Sequence, residues 1–295
     1  MFGLRPRQPH TFKRRAFAVA QHLLVPTDWP ANLAHRLGLA PSLATISLEA
    51  VSAVPLGSAN TLTIAFAADF HAGPTTHRLQ IDRAFAALEA SRPDVLLLGG
   101  DFVGHRPRDV TRVAEKLASL RTPCGIFAVL GNHDNHTNPS LVMQALTESG
   151  VRVLQNEAVR LPAPFQRTRI VGLEDHASGS PDASRIPRDD AVSTILLVHQ
   201  PSGLLDAAPH RVDLALAGHT HGGQIVLPGG YAPITPSGAL SRRYLAGRFA
   251  LPGGGTLVVS RGVGTSTIPL RWNAPADLLV VRLHGPADSI SSRHE

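Results

Sequence analysis

Carboxylate, imidazole and amide side chains are grouped in five short blocks that lie far apart along the chain. Oxygen and imidazole ligands without a thiolate suit ions such as manganese, iron or zinc. The candidates are too many for one tetrahedral ion, whereas one bridging carboxylate can join two ions about 3.5–4 Å apart. The blocks therefore predict a site for two metal ions, with the candidate ligands Asp69, His71, Asp101, Asn132, His199, His219 and His221.

Each block directly follows an apolar run of the length of a β-strand. Residues 61–68 precede Asp69 and His71, residues 94–99 precede Asp101, and residues 125–130 precede Asn132 and His133. The runs 193–198 and 212–217 precede the remaining histidines. Because the carboxyl ends of parallel strands share one edge of a sheet, we expect the five blocks to meet in one crevice.

After each of the first three predicted strands, apolar residues recur at helical spacing. Ile81, Ala84, Phe85 and Leu88 fall at positions i, i+3, i+4 and i+7, and the segments around Val113 and residues 141–146 show similar spacing. This alternation predicts a layered α/β domain.

After Val151 strand-like runs dominate, at residues 169–173, 193–198, 212–217, 224–227, 256–260 and 278–283. They predict a second sheet. Two sheets packed face to face with helices outside would form a four-layer α/β/β/α sandwich, and one open sheet fits the same pattern.

The five blocks resemble those of the calcineurin-like metallophosphoesterases, in the order of that family. The resemblance covers about residues 61–283. Three segments are similar in sequence to the bacterial YkuE/YaeI-like branch: Val198-His199-Gln200-Pro201, residues 218–224 and residues 260–265. That branch includes a UDP-2,3-diacylglucosamine hydrolase of lipid A synthesis. The resemblance implies the four-layer sandwich of two mixed sheets, within a domain at residues 61–285 followed by a tail at 286–295.

The resemblance also implies a role for each residue of the blocks. Asp69, His71 and His221 would hold one metal ion, Asn132, His199 and His219 the second, and Asp101 would bridge them. A metal-bridging hydroxide would attack phosphorus, and His133 would donate a proton to the leaving oxygen. Many relatives carry an aspartate that orients this histidine, but here Gly104 occupies its position, so the orienting group must come from elsewhere.

Other polar residues near the blocks have weaker claims to a role. We expect Asp134 to accept hydrogen bonds beside the ligands, and His77, His105, His136 and His176 to lie on the surface or behind the site. Among the arginines of the C-terminal third, Arg242, Arg243, Arg261 and Arg271, we single out Arg261 as a candidate for binding a phosphate, because it follows a predicted strand. Ordinary surface charge is the alternative.

The N-terminal 60 residues differ from the rest of the chain. Of the formal net charge of +6, residues 1–50 contribute +4, with six Arg or Lys against Asp28 and Glu49. We predict a basic extension at residues 1–60 that contacts an anionic membrane surface, with a solvated tail as the alternative. A nucleic-acid partner is not expected, since its basic stripe would usually lie on the folded domain.

The location of the protein follows from the same segment. No uninterrupted apolar run reaches the roughly 18 residues of a membrane span. We expect a cytoplasmic protein at the inner membrane. Residues 13–17 resemble a twin-arginine export signal, which would instead imply export.

The single Cys124 excludes an internal disulfide.

The predicted activity is hydrolysis of a phosphodiester or pyrophosphate bond, with a nucleotide-linked lipid such as UDP-2,3-diacylglucosamine as the substrate implied by the resemblance. A broad-range phosphodiesterase or phosphatase of soluble substrates is one alternative. A non-catalytic scaffold that retains the fold is another. The sequence leaves the metal identities and the oligomeric state open.

Overall fold

The computed structural model describes residues 27–186, 188–207, 210–236 and 240–286. Its strands form two six-stranded sheets. The first contains β1 (Leu43–Val51), β2 (Thr61–Ala67), β3 (Val95–Leu98), β4 (Ile126–Ala128), β5 (Arg152–Val153) and β12 (Ala276–His284), in the order β1-β12-β2-β3-β4-β5. The second contains β6 (Glu157–Arg160), β7 (Thr168–Gly172), β8 (Ser193–Leu197), β9 (Leu214–Ala217), β10 (Gly247–Ala250) and β11 (Thr256–Val259), in the order β10-β11-β9-β8-β7-β6.

Both sheets are mixed. Strands β2 to β5 run parallel, β12 is antiparallel to β2, and β1 is parallel to β12. In the second sheet β7, β8, β9 and β11 are parallel, and β6 and β10 are antiparallel edge strands. The parallel centre of each sheet directs its strand carboxyl ends to one edge.

Helices lie outside the sheets. They are α1 (Trp29–Arg36), α2 (Arg78–Ala90), α3 (Thr111–Ser119), α4 (Asn132–Thr137), α5 (Pro139–Glu148) and α6 (Leu204–Ala207). Four short 3-10 helices are Pro107–Val110, Ala183–Arg185, Pro201–Gly203 and His221–Gly223.

The second half of strand β2, residues 64–67, is apolar without alternation. Alternate side chains of a strand point to opposite faces. Ile64 and Phe66 join the apolar cluster between the two sheets, while Ala65 and Ala67 join the cluster beneath the helices. Where both faces of a strand are covered, consecutive apolar side chains are favoured.

Three apolar clusters separate the four layers. Between the sheets lie side chains such as Leu97, Ile195 and Leu216. Ile81 of α2 and Val113 of α3 pack on the outer face of the first sheet. The 3-10 helix Ala183–Arg185 and the short α6 cover the outer face of the second. The predicted four-layer sandwich of two mixed sheets is confirmed, and the alternative of one open sheet is wrong.

The structure corrects the expected elements at two places. Residues 224–227 form no strand, because Gln224 has a φ of 56° and Ile225 makes only an isolated bridge with Trp272. The sheet also begins before the predicted boundary at residue 60, since β1 pairs with β12 from Leu43 to Val51. This edge strand is only half-buried, which leaves a weak apolar signal in its sequence.

Residues 27–60 are therefore part of the layered domain. Residues 1–26, on which the predicted membrane contact and the export signal fall, lie outside the described residues, as do residues 287–295 of the predicted tail. Within the described ranges, no helix is both long enough and apolar enough to span a membrane.

Candidate metal centre

The five polar blocks meet at one edge, which we call the carboxyl edge, where the strands β2, β3, β4, β8 and β9 end. Asp69 and His71 follow β2, and Asp101 follows β3. Asn132 and His133 open α4 after β4. The two sheets face each other, so the histidines after β8 and β9 approach these residues from the opposite side.

The side chains form two groups that share a carboxylate. Ligand atoms of Asp69, His71 and His221 lie within 4.8 Å of one another, as do those of Asp101, His199 and His219. The Oδ2 atom of Asp101 lies 3.5 Å from Nε2 of His71 and 3.4 Å from Nε2 of His199. Asp101 therefore stands between the groups, at the position of a bridging ligand.

Distances within each group suit a metal shell. Nε2 of His71 lies 3.0 Å from Nε2 of His221, and Nε2 of His199 lies 3.1 Å from Nδ1 of His219 and 3.0 Å from Oδ1 of Asn132. Ligand atoms about 2.1 Å from an ion in octahedral geometry are about 3.0 Å apart. The donor types and their spacing thus fit two divalent ions.

Five of the seven candidate ligands have a positive φ, although none is glycine. The φ angles are 55° at Asp69, 42° at His71, 55° at Asp101, 72° at His219 and 53° at His221. Each such residue costs of order 1–3 kcal/mol, and strained residues of this kind cluster at functional sites. The fold therefore holds these side chains in place against the preference of their own backbone.

Two glycines of the blocks provide the space that the carboxylates occupy. A Cβ added to Gly131 would lie 2.2 Å from Oδ1 of Asp101, and one added to Gly218 would lie 2.3 Å from Oδ2 of Asp69. Any other residue would displace a candidate ligand.

The electrostatics of the two carboxylates differ. Burial raises the pKa of Asp69 to about 7, although it accepts hydrogen bonds from the backbone N–H of His219. Burial would also raise the pKa of Asp101, but the charges of His199 and His133 and a hydrogen bond with His199 outweigh it and hold the pKa well below its ordinary value.

The histidines also differ in the direction of their pKa shifts. Burial lowers the pKa of His71 and of His221 well below the ordinary value, so both are neutral and can offer a lone pair. Burial alone would lower the pKa of His199, but the charge of Asp101 outweighs it and raises the pKa well above the ordinary value. The field that draws a proton to His199 would equally draw a cation.

The carbonyl of Gly104 orients His133. Nδ1–H of His133 donates to this carbonyl at 2.8 Å, and the backbone N–H of His133 donates to Oδ1 of Asp101 at 2.8 Å. The half-buried ring lies edge-on to His71, with centroids 4.6 Å apart. A carbonyl only accepts, so the Nδ1 proton is fixed and Nε2 is left for proton exchange.

Sequence reasoning missed this interaction, because a backbone carbonyl is independent of the residue type. The nearby ring of His105 lies 5.6 Å from that of His133, and burial together with the charge of His133 lowers its pKa to about 4. His105 is therefore neutral near pH 7.

Further side chains support the blocks. Asp134 is fully buried and accepts from the backbone N–H of Gly131 and of Val103, as its predicted role requires. Nδ1 of His77 caps α2 by accepting from the N–H of Leu79, and Nδ1 of His176 pairs with Oδ2 of Asp206.

The arginines of the C-terminal third have different environments. Arg271 is buried, and it donates to the carbonyls of Arg261, Gly262, Gly264, His221 and Ala274. Its guanidinium therefore ties the loop after β11 to the His219–His221 block, and its Nη2 atom also lies 3.1 Å from Nδ1 of His221. The Nη1 atom of Arg261 lies 3.1 Å from Oδ2 of Asp277, and its stem passes Gly222.

Comparison with known proteins assigns the family. The sequence profile described as "Calcineurin-like phosphoesterase" matches residues 62–223. The chain belongs to the calcineurin-like metallophosphoesterase family. It is therefore a metal-dependent phosphoric ester hydrolase, as the resemblance of its blocks predicted.

Bacterial relatives include the YkuE/YaeI-like branch. An uncharacterized metallophosphoesterase of Aquifex aeolicus is 32% identical over 74% of this chain and 84% of its own length. YkuE of Bacillus subtilis, also an uncharacterized metallophosphoesterase, is 34% identical over 66% of this chain and 70% of its own length. "Phosphodiesterase YaeI" of Escherichia coli is 31% identical over 75% of this chain and 81% of its own length. Longer relatives also match, and the chain spans about 60% of one from Helicobacter pylori.

Proposed function

We propose that this metallophosphoesterase hydrolyses a phosphodiester or pyrophosphate bond in a nucleotide-linked lipid such as UDP-2,3-diacylglucosamine. The observation that carries the proposal is the pair of ligand groups with Asp101 between them, 3.5 Å from His71 and 3.4 Å from His199. The name of the relative YaeI, a phosphodiesterase, supports a diester substrate.

In this proposal Asp69, His71 and His221 hold one ion, Asn132, His199 and His219 hold the other, and Asp101 binds both. The 3.0–3.1 Å spacing of their ligand atoms supports this assignment. Two divalent ions, manganese in our proposal, would supply positive charge for the phosphoryl oxygens and a nucleophile at neutral pH. Iron and zinc suit the same ligands.

His133 would serve the leaving group. Its Nδ1 proton is held by the carbonyl of Gly104, so a second proton on Nε2 is the one it can donate to the leaving oxygen. Unlike a carboxylate, the carbonyl adds no full negative charge behind the ring. Arg261, 31% exposed beside Gly222, would hold a phosphoryl oxygen with the part of its guanidinium that does not face Asp277.

The lipid part of the proposal places the protein at the cytoplasmic side of the inner membrane, held there by its basic N-terminal residues. Residues 1–26 contain five Arg or Lys and no Asp or Glu, a composition that attracts anionic lipid.

A substrate panel tests the proposal. The purified full chain, loaded with manganese, would be assayed with a bis-aryl phosphate, cyclic nucleotides, an aryl monophosphate and UDP-2,3-diacylglucosamine. We expect the highest kcat/KM for the nucleotide-linked lipid. Higher values for the soluble esters would instead show a broad-range enzyme. A chain that bound no metal and turned over none of these substrates would be a scaffold.

A further inference from the structure

Helix α1 presents its large apolar side chains to solvent and its small ones to the domain. Ala31 and Ala34 are 2% and 7% exposed and pack inward. Trp29 and Leu33 of the helix are 52% and 46% exposed, and Leu37 and Leu39, which follow its end at Arg36, are 63% and 47% exposed. Trp29, Leu33 and Leu37 have the spacing i, i+4 and i+8. A helix that only completes a core would show the reverse pattern. We call these four outward side chains the α1 face.

Helix α1 lies against two loops that adjoin the metal centre. The backbone N–H of Ala31 donates to the carbonyl of Pro74 at 3.0 Å, three residues after His71. At the start of the helix, Oδ1 of Asp28 lies 2.7 Å from Nη2 of Arg106, which follows Gly104 by two residues. The helix therefore rests on the two loops that leave the carboxyl edge after β2 and β3.

A cleft on the inward side of the helix carries further apolar side chains. Leu79 and Pro269 line the same cleft as Ala31 and Ala34, and Leu79 and Ile268 are 43% and 41% exposed. Several large exposed apolar side chains in one part of the surface are typical of interaction sites in proteins.

The surrounding charge is positive. Arg36, Arg78 and Arg83 are exposed around the face, while the nearby Asp28 is neutralised by Arg106 and Arg112. The chain enters α1 from a segment with five further cations and no acid, at residues 1–26. Apolar side chains that include Trp, bordered by arginines, match a lipid surface that is apolar inside and anionic outside.

We propose that the α1 face docks on an anionic lipid bilayer, so that the adjoining metal centre opens at the lipid surface. Trp29, Leu33 and Leu37 would enter the boundary between headgroups and acyl chains, and the arginines would meet lipid phosphates. The role of this docking in catalysis rests on the proposed lipid substrate, but vesicle binding measures the docking itself without any hydrolysis.

Binding of the full chain to vesicles tests the docking. Vesicles of phosphatidylcholine alone would be compared with vesicles that also contain phosphatidylglycerol, by co-sedimentation. The test variant carries Trp29→Ser, Leu33→Ser and Leu37→Ser. The matched control carries Leu141→Ser and Leu205→Ser, whose side chains are 37% and 53% exposed on helices in other parts of the outer layers.

We expect the wild-type chain and the control to bind the anionic vesicles equally, and the test variant to bind at least about tenfold more weakly. All three should retain the same melting temperature and the same turnover of a soluble bis-aryl phosphate. The substitutions lie outside the ligand groups, so this turnover separates a lost docking face from a lost fold.

Three results would overturn the proposal. The wild-type chain could fail to bind the anionic vesicles. The test variant could bind as well as the wild type, which would assign binding to residues 1–26. Light scattering could show that the purified wild type is a dimer and the test variant a monomer, which would assign the face to contact with a second copy of the chain. Vesicle binding without turnover of any lipid substrate would refute the proposed function and leave the docking intact.

Discussion

Replacing Asp28 by asparagine should destabilise the fold through a largely buried ion cluster. The two oxygens of Asp28 lie 2.7 Å from Nη2 of Arg106 and 2.8 Å from Nη2 of Arg112, and both arginines also contact Asp109. The exposed fractions of the side chains are 16% for Asp28, 5% for Arg106 and 20% for Arg112. The carboxylates of Asp28 and Asp109 neutralise the guanidinium groups of Arg106 and Arg112. The substitution Asp28→Asn removes one of these two negative charges.

The magnitude follows from the burial. Removing one partner of a buried ion pair costs about 3–5 kcal/mol, because it leaves an uncompensated charge. Water reaches Asp28 and Arg112 in part, so we expect a loss of about 2–3 kcal/mol in the free energy of unfolding near neutral pH. Urea unfolding measures this loss. As the control, Asp82→Asn removes an exposed partner of Lys116, 2.5 Å away, and should cost less than about 1 kcal/mol.

The effect of Asp28→Asn should depend on pH. Burial alone would raise the pKa of Asp28, but the hydrogen bond from Arg106 and the charge of Arg112 outweigh it and lower the pKa. The carboxylate therefore stabilises the fold above the pKa of the unfolded chain, about 3.9, and this stabilisation is lost as the pH falls through the lower pKa of the folded chain. The difference between wild type and variant should be constant from about pH 7 to about pH 5 and shrink below about pH 4. A loss no larger than that of the control, or one that persists unchanged in acid, would refute the reasoning.

Other substitutions test the metal centre and its support. Asp101→Asn should reduce both metal ions in elemental analysis, and a variant that keeps one ion at full occupancy would contradict the bridging position. His133→Asn should lower kcat by about 10²–10⁴ with unchanged metal content, and unchanged kcat would remove the proton-donor role. Gly104→Ala should retain kcat within about threefold of wild type, because the backbone carbonyl stays and the nearest atom to an added Cβ is 3.7 Å away. A loss of kcat as large as that of His133→Asn would exclude the carbonyl as the orienting group. Arg271→Met should lower the free energy of unfolding by about 3–5 kcal/mol in urea, since five carbonyls lose a donor, and a loss below about 1 kcal/mol would show that water replaces it.

The order of the layers was predictable from the sequence where strands are buried on both faces. Residues 64–67 of β2 and 195–197 of β8, like all of β3 and β9, are apolar, because neither face meets water there. Strand β1 lies at an edge and is only half-buried, so its alternation was too weak to extend the domain before residue 61. Residues 225–227 are apolar, which favours a strand in the sequence, but the chain there makes only the isolated bridge of Ile225 with Trp272.

The sequence by itself determined which side chains can bind metal ions and where they enter the fold. Ligand chemistry is a property of the residue type, and the end of an apolar strand fixes where the next side chain emerges, so Asp69, Asp101 and His199 could be placed together from spacing alone. Only the tertiary structure decided what surrounds them. The carbonyl of Gly104 that holds His133, and the carbonyls that occupy Arg271, belong to the backbone. Every residue type carries the same carbonyl, so only the path of the chain in space determines which one faces a given side chain.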